Sequence, residues 1–156
     1  MADEILPLRI GVGIVVLNLN NQVFVGKRKD NPNNKWQMPQ GGVGQNESFM
    51  DAMKRELYEE TGLKNIEIIK ELDYWMEYEL PKNLVGVIWK GKYRGQKQKW
   101  FIVRFLGEDK EINLNIDHAE FIDWKWIDVE QLPNVIVDFK KHIYIKIVDE
   151  LKEFTN

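Results

Sequence analysis

The chain has no cysteine in its 156 residues, which excludes disulfide bonds, thiolate nucleophiles and zinc sites built from thiolates. It also lacks an apolar run approaching the roughly 20 residues that a membrane-spanning helix needs. The start of the chain carries Asp3 and Glu4, where a secretory signal would be basic. We therefore expect a cytoplasmic protein without a membrane partner.

An overall excess of basic charge is missing as well. The formal net charge is −3, which argues against non-specific nucleic-acid binding, so DNA is not expected as a partner. The length and a hydrophobic content of 44% indicate one domain, 1–156, and a monomer is compatible with this composition. Basic residues still gather in three clusters, which are either solubilising surface or polyphosphate contacts: Lys27–Lys29, Lys90–Lys99 and Lys140–Lys141.

Apolar patterning predicts both strands and helices. A β-hairpin joins Ile10–Leu17 to Gln22–Lys27 through an asparagine-rich turn. Strands or extended segments are also predicted at Trp36–Met38, Ile66–Tyr78, Trp100–Leu106 and Phe121–Ile127, and helical segments at Asp128–Leu132 and Asp138–Phe154. The mixture predicts an α/β fold in which helices cover both faces of a mixed sheet.

The most informative segment, 41–63, predicts an acidic helix that begins after Ser48 and ends at Gly62. Glu56, Glu59 and Glu60 have the i, i+3, i+4 spacing, so they project from one side of this helix. The opposite side should face the core through its apolar residues: Met50, Met53 and Leu57. The stacked carboxylates repel one another, and a hard divalent cation such as Mg²⁺ or Mn²⁺ would remove that conflict. The alternative is a solvated acidic face with Arg55 as its charge partner.

The same segment matches the pattern G-x5-E-x7-R-E-U-x-E-E-x-G-U, with U apolar, at every defined position. It resembles the signature of the Nudix hydrolases, which implies an α/β/α sandwich and metal-dependent cleavage of phosphoanhydride bonds. Three further segments extend the resemblance: 36–42, 95–101 and 120–126. With Asp138–Lys141, they are similar to the branch that contains RNA pyrophosphohydrolases and dinucleoside polyphosphate hydrolases.

The resemblance implies a role for each residue that matches a functional position of the family. Glu56, Glu59 and Glu120 would be catalytic. The implied metal ligands are Glu56, Glu59, Glu60 and Glu120, with a backbone carbonyl of Gln40 or Gly41. The implied substrate contacts are Arg9, Lys27, Tyr78, Lys99, Phe139 and Lys140. Glu47 and Arg55 would form a salt bridge that holds the loop onto the helix. For Tyr78 and Phe139, core packing is the alternative to stacking on a base.

Two departures from the family pattern bear on the site. Asn46 stands where relatives often have glycine, and asparagine tolerates the positive φ that such a turn needs. Ala119 precedes Glu120 where relatives often have proline, which loosens the loop that presents this glutamate. His118 is either a proton carrier beside Glu120 or a solvated loop histidine.

The expected activity is hydrolysis of a 5′-linked polyphosphate, with a nucleotide or an RNA 5′ end as the substrate partner. We favour RNA 5′-triphosphate ends, because the basic segment Lys90–Lys99 could follow a strand. The alternative substrate is diadenosine tetraphosphate, which would give ATP and AMP. A non-catalytic nucleotide sensor on the same scaffold is a more distant alternative, and the presence of all four box glutamates argues against it.

Overall fold

A computed structural model describes residues 5–30, 34–117 and 120–155, so His118 and Ala119 lie outside the described residues. The strands are β1 (Leu8–Leu17), β2 (Gln22–Arg28), β3 (Gln40–Gly42), β4 (Ile66–Glu71), β5 (Met76–Glu79), β6 (Gly95–Phe105) and β7 (Phe121–Asp128). The α-helices are α1 (Phe49–Thr61), α2 (Leu132–Val135) and α3 (Lys141–Thr155). Single 3₁₀ turns lie at Ile88–Gly91, Asp109–Glu111, Val129–Gln131 and Asp138–Lys140.

The strands of the described residues form one mixed sheet in the order β4-β6-β1-β2-β7. β1 and β6 are parallel from Leu8↔Gly95 to Leu17↔Arg104, and the other strand pairs are antiparallel. β2 and β3 share the edge of β1 that faces away from β6: β3 pairs with residues 11–13, and the hairpin partner β2 pairs near Leu17. β5 pairs with the first half of β6. The sheet therefore divides at β1, and β3 is the short strand that leads into α1.

One helix covers each face of the sheet, which confirms the predicted α/β sandwich. On the first face, Met53 and Leu57 of α1 pack against Val12 and Phe101 in one core cluster. On the second face, α3 packs against the alternate residues of the same strands, through Ile143, Tyr144, Ile147 and Leu151. No helix in the described parts of the chain is both long enough and apolar enough to cross a membrane.

Local sequence fixes the ends of α1 as predicted. The Ser48 side chain accepts a hydrogen bond from the backbone N–H of Asp51 at 3.1 Å, and such a cap stabilises a helix by about 1 kcal/mol. Gly62 ends the helix in the left-handed conformation, with φ 76°. Asn46 has φ 64°, so asparagine does support the turn that glycine often makes in relatives.

The prediction of a strand at Trp36–Met38 is wrong. Gln37 makes only an isolated bridge to Gly26, and the strand itself begins at Gln40. The backbone N–H of Met38 instead donates to the hydroxyl of Tyr144 on α3 at 2.7 Å. The extended segment predicted from Ile66 to Tyr78 is interrupted between β4 and β5. The C-terminal helix begins with a 3₁₀ turn at Asp138–Lys140 and continues as α3, close to the predicted range.

Candidate active site

β3 lies at the centre of the candidate site, because its two glycines admit side chains from both faces of the sheet. A Cβ atom added to Gly41 would overlap the carboxylate of Glu56 on α1, and one added to Gly42 would overlap the guanidinium of Arg9. Gly41 pairs with Val12 and Gly42 pairs with Gly11. Neighbouring residues of a strand point to opposite faces. Glu56 and Arg9 therefore approach the same short strand from opposite faces.

Arg55 links the loop before α1 to the helix. Its Nε and Nη2 atoms donate to the two oxygens of Glu47 at 2.7 and 2.9 Å, and Nη2 also donates to the carbonyl of Gly42 at 2.9 Å. Glu47 in turn accepts the backbone N–H of Gly44 at 2.8 Å. The hydrogen bond from Arg55 is the main cause that lowers the pKa of Glu47 to about 2. This is the salt bridge that the resemblance implied for the two residues.

The remaining Arg55 donor, Nη1, lies among the box carboxylates. It donates to Glu56 at 2.9 Å and to Glu59 at 3.2 Å. Arg55 is 37% exposed, whereas the side chains of Glu56 and Glu59 are 15% and 27% exposed. Burial still raises the pKa of Glu56, with Arg55 opposing the shift. One arginine thus holds two of the expected metal ligands in the described arrangement.

Glu60 is the buried member of the group. Its relative exposure is 3%, and its Oε2 atom is buried without a hydrogen-bond partner. The backbone N–H of Gln40 donates to its carboxylate. Burial raises the pKa of Glu60 well above its ordinary value, and the nearby charges of Glu120 and Glu56 raise it further. A buried carboxylate without full compensation is costly, and a bound cation would offset that cost.

Glu120 reaches the site from the segment before β7. The backbone N–H of Lys29 donates to the Glu120 carbonyl at 3.0 Å, and this hydrogen bond holds the Glu120 backbone beside the end of β2. The Glu120 carboxylate lies 3.6 Å from Nη1 of Arg28. Arg28 also binds Asp30 through two hydrogen bonds, of 2.8 and 3.0 Å, and these are the main cause that raises the pKa of Arg28. The sequence predicted Arg28 only as one member of a basic cluster and missed its contact with Glu120. Its position directly after the predicted strand Gln22–Lys27 was the one feature that could have indicated this role.

The carboxylates of the described residues do not form a ready-made group of three that could hold a metal ion. Glu56 and Glu59 are turned toward Arg55, and Glu120 is near Arg28. The residues nevertheless fit a hard divalent cation, because their oxygen donors match its chemistry and one buried Glu60 oxygen lacks a partner. The oxygens that could hold it belong to Glu56, Glu59, Glu60 and Glu120, with the carbonyl of Gln40 or Gly41.

A ladder of amides lies on the other face of the sheet, below β3. The indole N–H of Trp100 can only donate, and it donates to Oε1 of Gln98 at 3.1 Å. The Gln98 amide nitrogen must therefore face away, and it donates to Oε1 of Gln40 at 3.0 Å and to Oε1 of Gln96 at 3.2 Å. Gln96 also accepts the Tyr78 hydroxyl at 3.0 Å, and its Nε2 atom is buried without a partner. Sequence reasoning missed this ladder.

The predicted base-binding residues, which lie beside this ladder, differ in how far they are exposed. Tyr78 is 3% exposed, and burial raises its pKa to about 12. The Phe139 ring lies 5.7 Å from the Tyr78 ring, and Nζ of Lys140 lies 4.9 Å from the Tyr78 ring centre. In this arrangement Tyr78 offers no open face to a base, whereas Phe139 is half-buried. Lys140 is itself buried, and burial lowers its pKa to about 7.

The predicted phosphate contacts lie on different faces of the sheet. Arg9 lies beside Gly42 and 5.4 Å from the ring centre of Trp89. Lys99 lies on the α1 face, with Nζ 5.0 Å from the ring centre of Trp75. Lys27 lies in β2 next to Arg28, and it is Arg28 that reaches Glu120. The sheet therefore separates Lys99 from Arg9, Tyr78 and Lys140.

A family model, described as the NUDIX domain, matches residues 7–147. The chain belongs to the Nudix family. It is 60% identical over 151 residues to a protein named RNA pyrophosphohydrolase from Pelagibacter ubique, with 97% of this chain and 96% of the relative covered. It is 48% identical to a protein of the same name from Bartonella henselae, with 94% and 91% covered.

Solved structures give the same fold at low sequence identity. The Escherichia coli dihydroneopterin triphosphate pyrophosphohydrolase superposes with a TM-score of 0.73 at 19% identity, covering 94% of this chain and 99% of that chain. A Caenorhabditis elegans Ap4A hydrolase binary complex superposes with a TM-score of 0.66 at 17% identity, covering 92% and 99%. Nudix hydrolases in general use divalent cations.

Proposed function

We propose that this chain is a divalent-cation-dependent pyrophosphohydrolase that converts the 5′-triphosphate end of RNA to a 5′-monophosphate. The observation that carries the proposal is the burial of Glu60, with one carboxylate oxygen unpartnered, beside Glu56 and Glu120. Such an arrangement is costly unless it serves a cation. The substrate class is supported by the two relatives named RNA pyrophosphohydrolase, which match nearly the whole chain.

The carboxylates of Glu56, Glu59, Glu60 and Glu120 would hold Mg²⁺ or Mn²⁺, together with a backbone carbonyl of Gln40 or Gly41. A cation bound there supplies charge neutralisation on the polyphosphate and an acidified water. In the described arrangement Arg55 donates hydrogen bonds to the carboxylates of Glu56 and Glu59. We infer that the two carboxylates turn from Arg55 toward the cation, while Glu47 keeps Arg55 in place.

Hydrolysis requires a water to lose a proton as its oxygen attacks phosphorus, while the bond to the leaving phosphate oxygen breaks. Glu120 is our candidate for accepting that proton, since its side chain is 41% exposed and its backbone is held by Lys29. The products are a 5′-monophosphate end and pyrophosphate, or two phosphates if cleavage occurs in steps. Arg9, beside Gly42, would neutralise phosphate oxygens. Lys99 lies on the opposite face of the sheet, beside Trp75.

On the α3 face, Phe139 and Lys140 would contact the first bases, with Tyr78 as the buried support beneath them. The amide ladder orients Gln40 and Gln96 so that their oxygens point toward Gln98. Their amide nitrogens are therefore directed away from Gln98. Gln96 Nε2 is the one buried amide donor of this ladder that is left without a partner among the described residues.

The direct test is a rate comparison on purified full-length protein. Triphosphorylated RNA and diadenosine tetraphosphate would each be offered with Mg²⁺, with Mn²⁺ and with a chelator. We expect metal-dependent release of pyrophosphate or phosphate from the RNA, with higher kcat/KM than for the tetraphosphate. Faster turnover of the tetraphosphate would overturn the RNA assignment.

A substitution of Glu59 distinguishes an enzyme from a non-catalytic nucleotide sensor. We expect Glu59→Gln to lower kcat by at least about a hundredfold while triphosphorylated RNA still binds. Lys54→Ala, one residue before Arg55 on the exposed side of the helix, is the matched control. Binding of triphosphorylated RNA without hydrolysis, by wild-type and Glu59→Gln protein alike, would favour the sensor.

A cytoplasmic location and the lack of a DNA partner are further predictions from the sequence.

A further inference from the structure

A tryptophan with two lysines lies on the α1 face of the sheet, outside the carboxylate cluster. Trp75 directly precedes β5 and is 38% exposed. Nζ of Lys97 and Nζ of Lys99 lie 4.8 and 5.0 Å from its ring centre. The ring of Phe49, the first residue of α1, meets the indole edge-on at 5.5 Å. Neither lysine forms an ion pair with a carboxylate of the described residues.

Strand register relates this surface to the site. Phe101 and Val103 of β6 pack against the α1 side of the core, so the alternation of β6 places Lys97 and Lys99 on that face too. Val12 is paired with Lys99 on one side and with Gly41 on the other. The row from Gly41 to Trp75 therefore crosses three strand spacings, or about 14 Å. Glu56 stands at the Gly41 end of this row.

We propose that Trp75, Lys97 and Lys99 form a second RNA-binding surface, on which a base downstream of the 5′ end stacks. This rests on the proposed function, and it extends the substrate contact beyond the nucleotides at the bond being cleaved. An exposed indole accepts any base, because every base has a π face. The two ammonium groups would then neutralise the phosphates on either side of the stacked base.

The lysines contact the indole in the described arrangement, so a base must compete with them. Stacking of a base on an aromatic ring is stronger than an exposed cation–π contact. A displaced ammonium group loses little, because a phosphate of the same strand replaces the ring as its partner. Glu77 stands opposite Lys97 in the sheet and offsets part of the positive charge. The surface therefore suits a single strand held by stacking, with charge as the weaker contribution.

The test compares substrates of two lengths on full-length protein with Mg²⁺. One is a 5′-triphosphorylated dinucleotide, and the other is a 5′-triphosphorylated single strand of about eight nucleotides. The readout is the ratio of kcat/KM for the long substrate to kcat/KM for the short one. We expect Trp75→Leu to lower this ratio about five- to a hundredfold through KM, and Trp75→Tyr to restore most of it.

Two further variants test the charges without removing the ring. Lys97→Ala should weaken binding of the 5′-monophosphorylated long strand and reduce the salt slope of its affinity by about 0.7, while Glu77→Gln should tighten binding. The matched control is Lys125→Ala, because Lys125 lies over Trp36, with Nζ 4.3 Å from the ring centre, on edge strand β7.

Each failure has a distinct meaning. Loss of activity on both substrates to the same extent in Trp75→Leu, with Trp75→Tyr equally impaired, would show that the residue only supports α1 through Phe49. An unchanged length ratio in Trp75→Leu, together with unchanged binding of the long strand by Lys97→Ala, would overturn the RNA surface and leave a protein partner as its occupant. Inactivity of wild-type protein on the dinucleotide and the long strand alike would instead contradict the proposed function.

Discussion

Arg55 binds both carboxylate oxygens of Glu47, through hydrogen bonds of 2.7 and 2.9 Å. The pairing is bidentate, so it fixes the guanidinium plane as well as its position. Because the same guanidinium also reaches Gly42, Glu56 and Glu59, the loop and the metal-binding helix are held by one side chain.

Arg55→Lys should impair catalysis more than stability. A lysine keeps the charge but cannot make the two parallel hydrogen bonds to Glu47. We expect the free energy of unfolding to fall by about 1–2 kcal/mol. We expect kcat to fall about a hundredfold, because Gly42 of β3 and the loop that follows it lose the hydrogen bonds that fix their position. Urea denaturation and single-turnover kinetics would measure the two effects, and a kcat near the wild-type value would contradict the prediction.

Glu60→Gln should stabilise the metal-free protein while abolishing activity. The folded-state pKa of Glu60 is raised, so burial of the ionised form costs stability, and this cost grows as pH rises above the unfolded value of 4.5. The variant removes the charge, so at neutral pH its unfolding free energy in chelator should exceed that of wild type by at least about 1 kcal/mol.

Divalent cations provide the complementary measurement for Glu60. Thermal unfolding of the wild-type protein should shift upward on addition of Mg²⁺ or Mn²⁺, because a ligand that binds only the folded state stabilises it. Glu60→Gln should show a smaller shift. Equal shifts in the two proteins would place the cation away from Glu60.

Lys140→Met should flatten the pH dependence of stability in the alkaline range. The pKa of Lys140 is lowered by burial to about 7 in the folded protein, compared with an ordinary value of 10.5. Between these two values the unfolded chain holds a proton that the folded protein has released, so wild-type stability rises with pH across that window. Below about pH 7 both states are protonated and the folded protein carries the full cost of a buried charge.

Denaturation at several pH values would check the lysine prediction. Lys140→Met should be more stable than wild type at neutral pH and should gain less than wild type on moving to pH values near 10.5. Lys141→Met, at the exposed neighbouring position, serves as the control and should retain the wild-type slope. A slope unchanged by Lys140→Met would mean that another group titrates in this range.

Gly41→Ala should reduce activity through the position of Glu56. An added Cβ would overlap the Glu56 carboxylate, and that side chain must turn away. A displacement of about 1 Å at a reacting centre can cost about a hundredfold in rate, and we expect a loss of this size in kcat. Gly44→Ala places its Cβ 3.3 Å from the nearest atom, Oε1 of Glu47, and should cost less. Similar losses in both variants would argue against a specific role for Gly41.

Much of the helix that carries the site could be predicted from the sequence. The 3.6-residue period separated Met53 and Leu57 from the carboxylates, and capping chemistry placed both ends of α1. The predicted pair of Glu47 and Arg55 is present. The burial of Glu60 was not predictable, because a helical period gives the direction of a side chain but not the β3 backbone that packs against it.

The positions of the functional residues on the strands were much less predictable from the sequence. Alternation predicted β7 to within one residue, but it placed the start of β6 at Trp100, whereas the strand begins at Gly95. It also could not reveal that Lys99 and Arg9 lie on opposite faces. That separation depends on the parallel pairing of β1 with β6 and its register. The antiparallel pairing of β5 with β6 places Tyr78 opposite Gln96, and Gln40 of β3 meets Gln98, although these partners are 18 and 58 positions apart in the chain.

The order of residue types was enough to identify the family signature, the helix that presents the carboxylates and the hard-oxygen chemistry they offer. These depend on residue type and local spacing, which a linear pattern records directly. Long-range packing, by contrast, sets which carboxylate is buried, which arginine each one contacts and on which face of the sheet each basic residue lies. Those outcomes depend on strand order, register and the packing of distant segments, since burial and pairing are properties of neighbours in space.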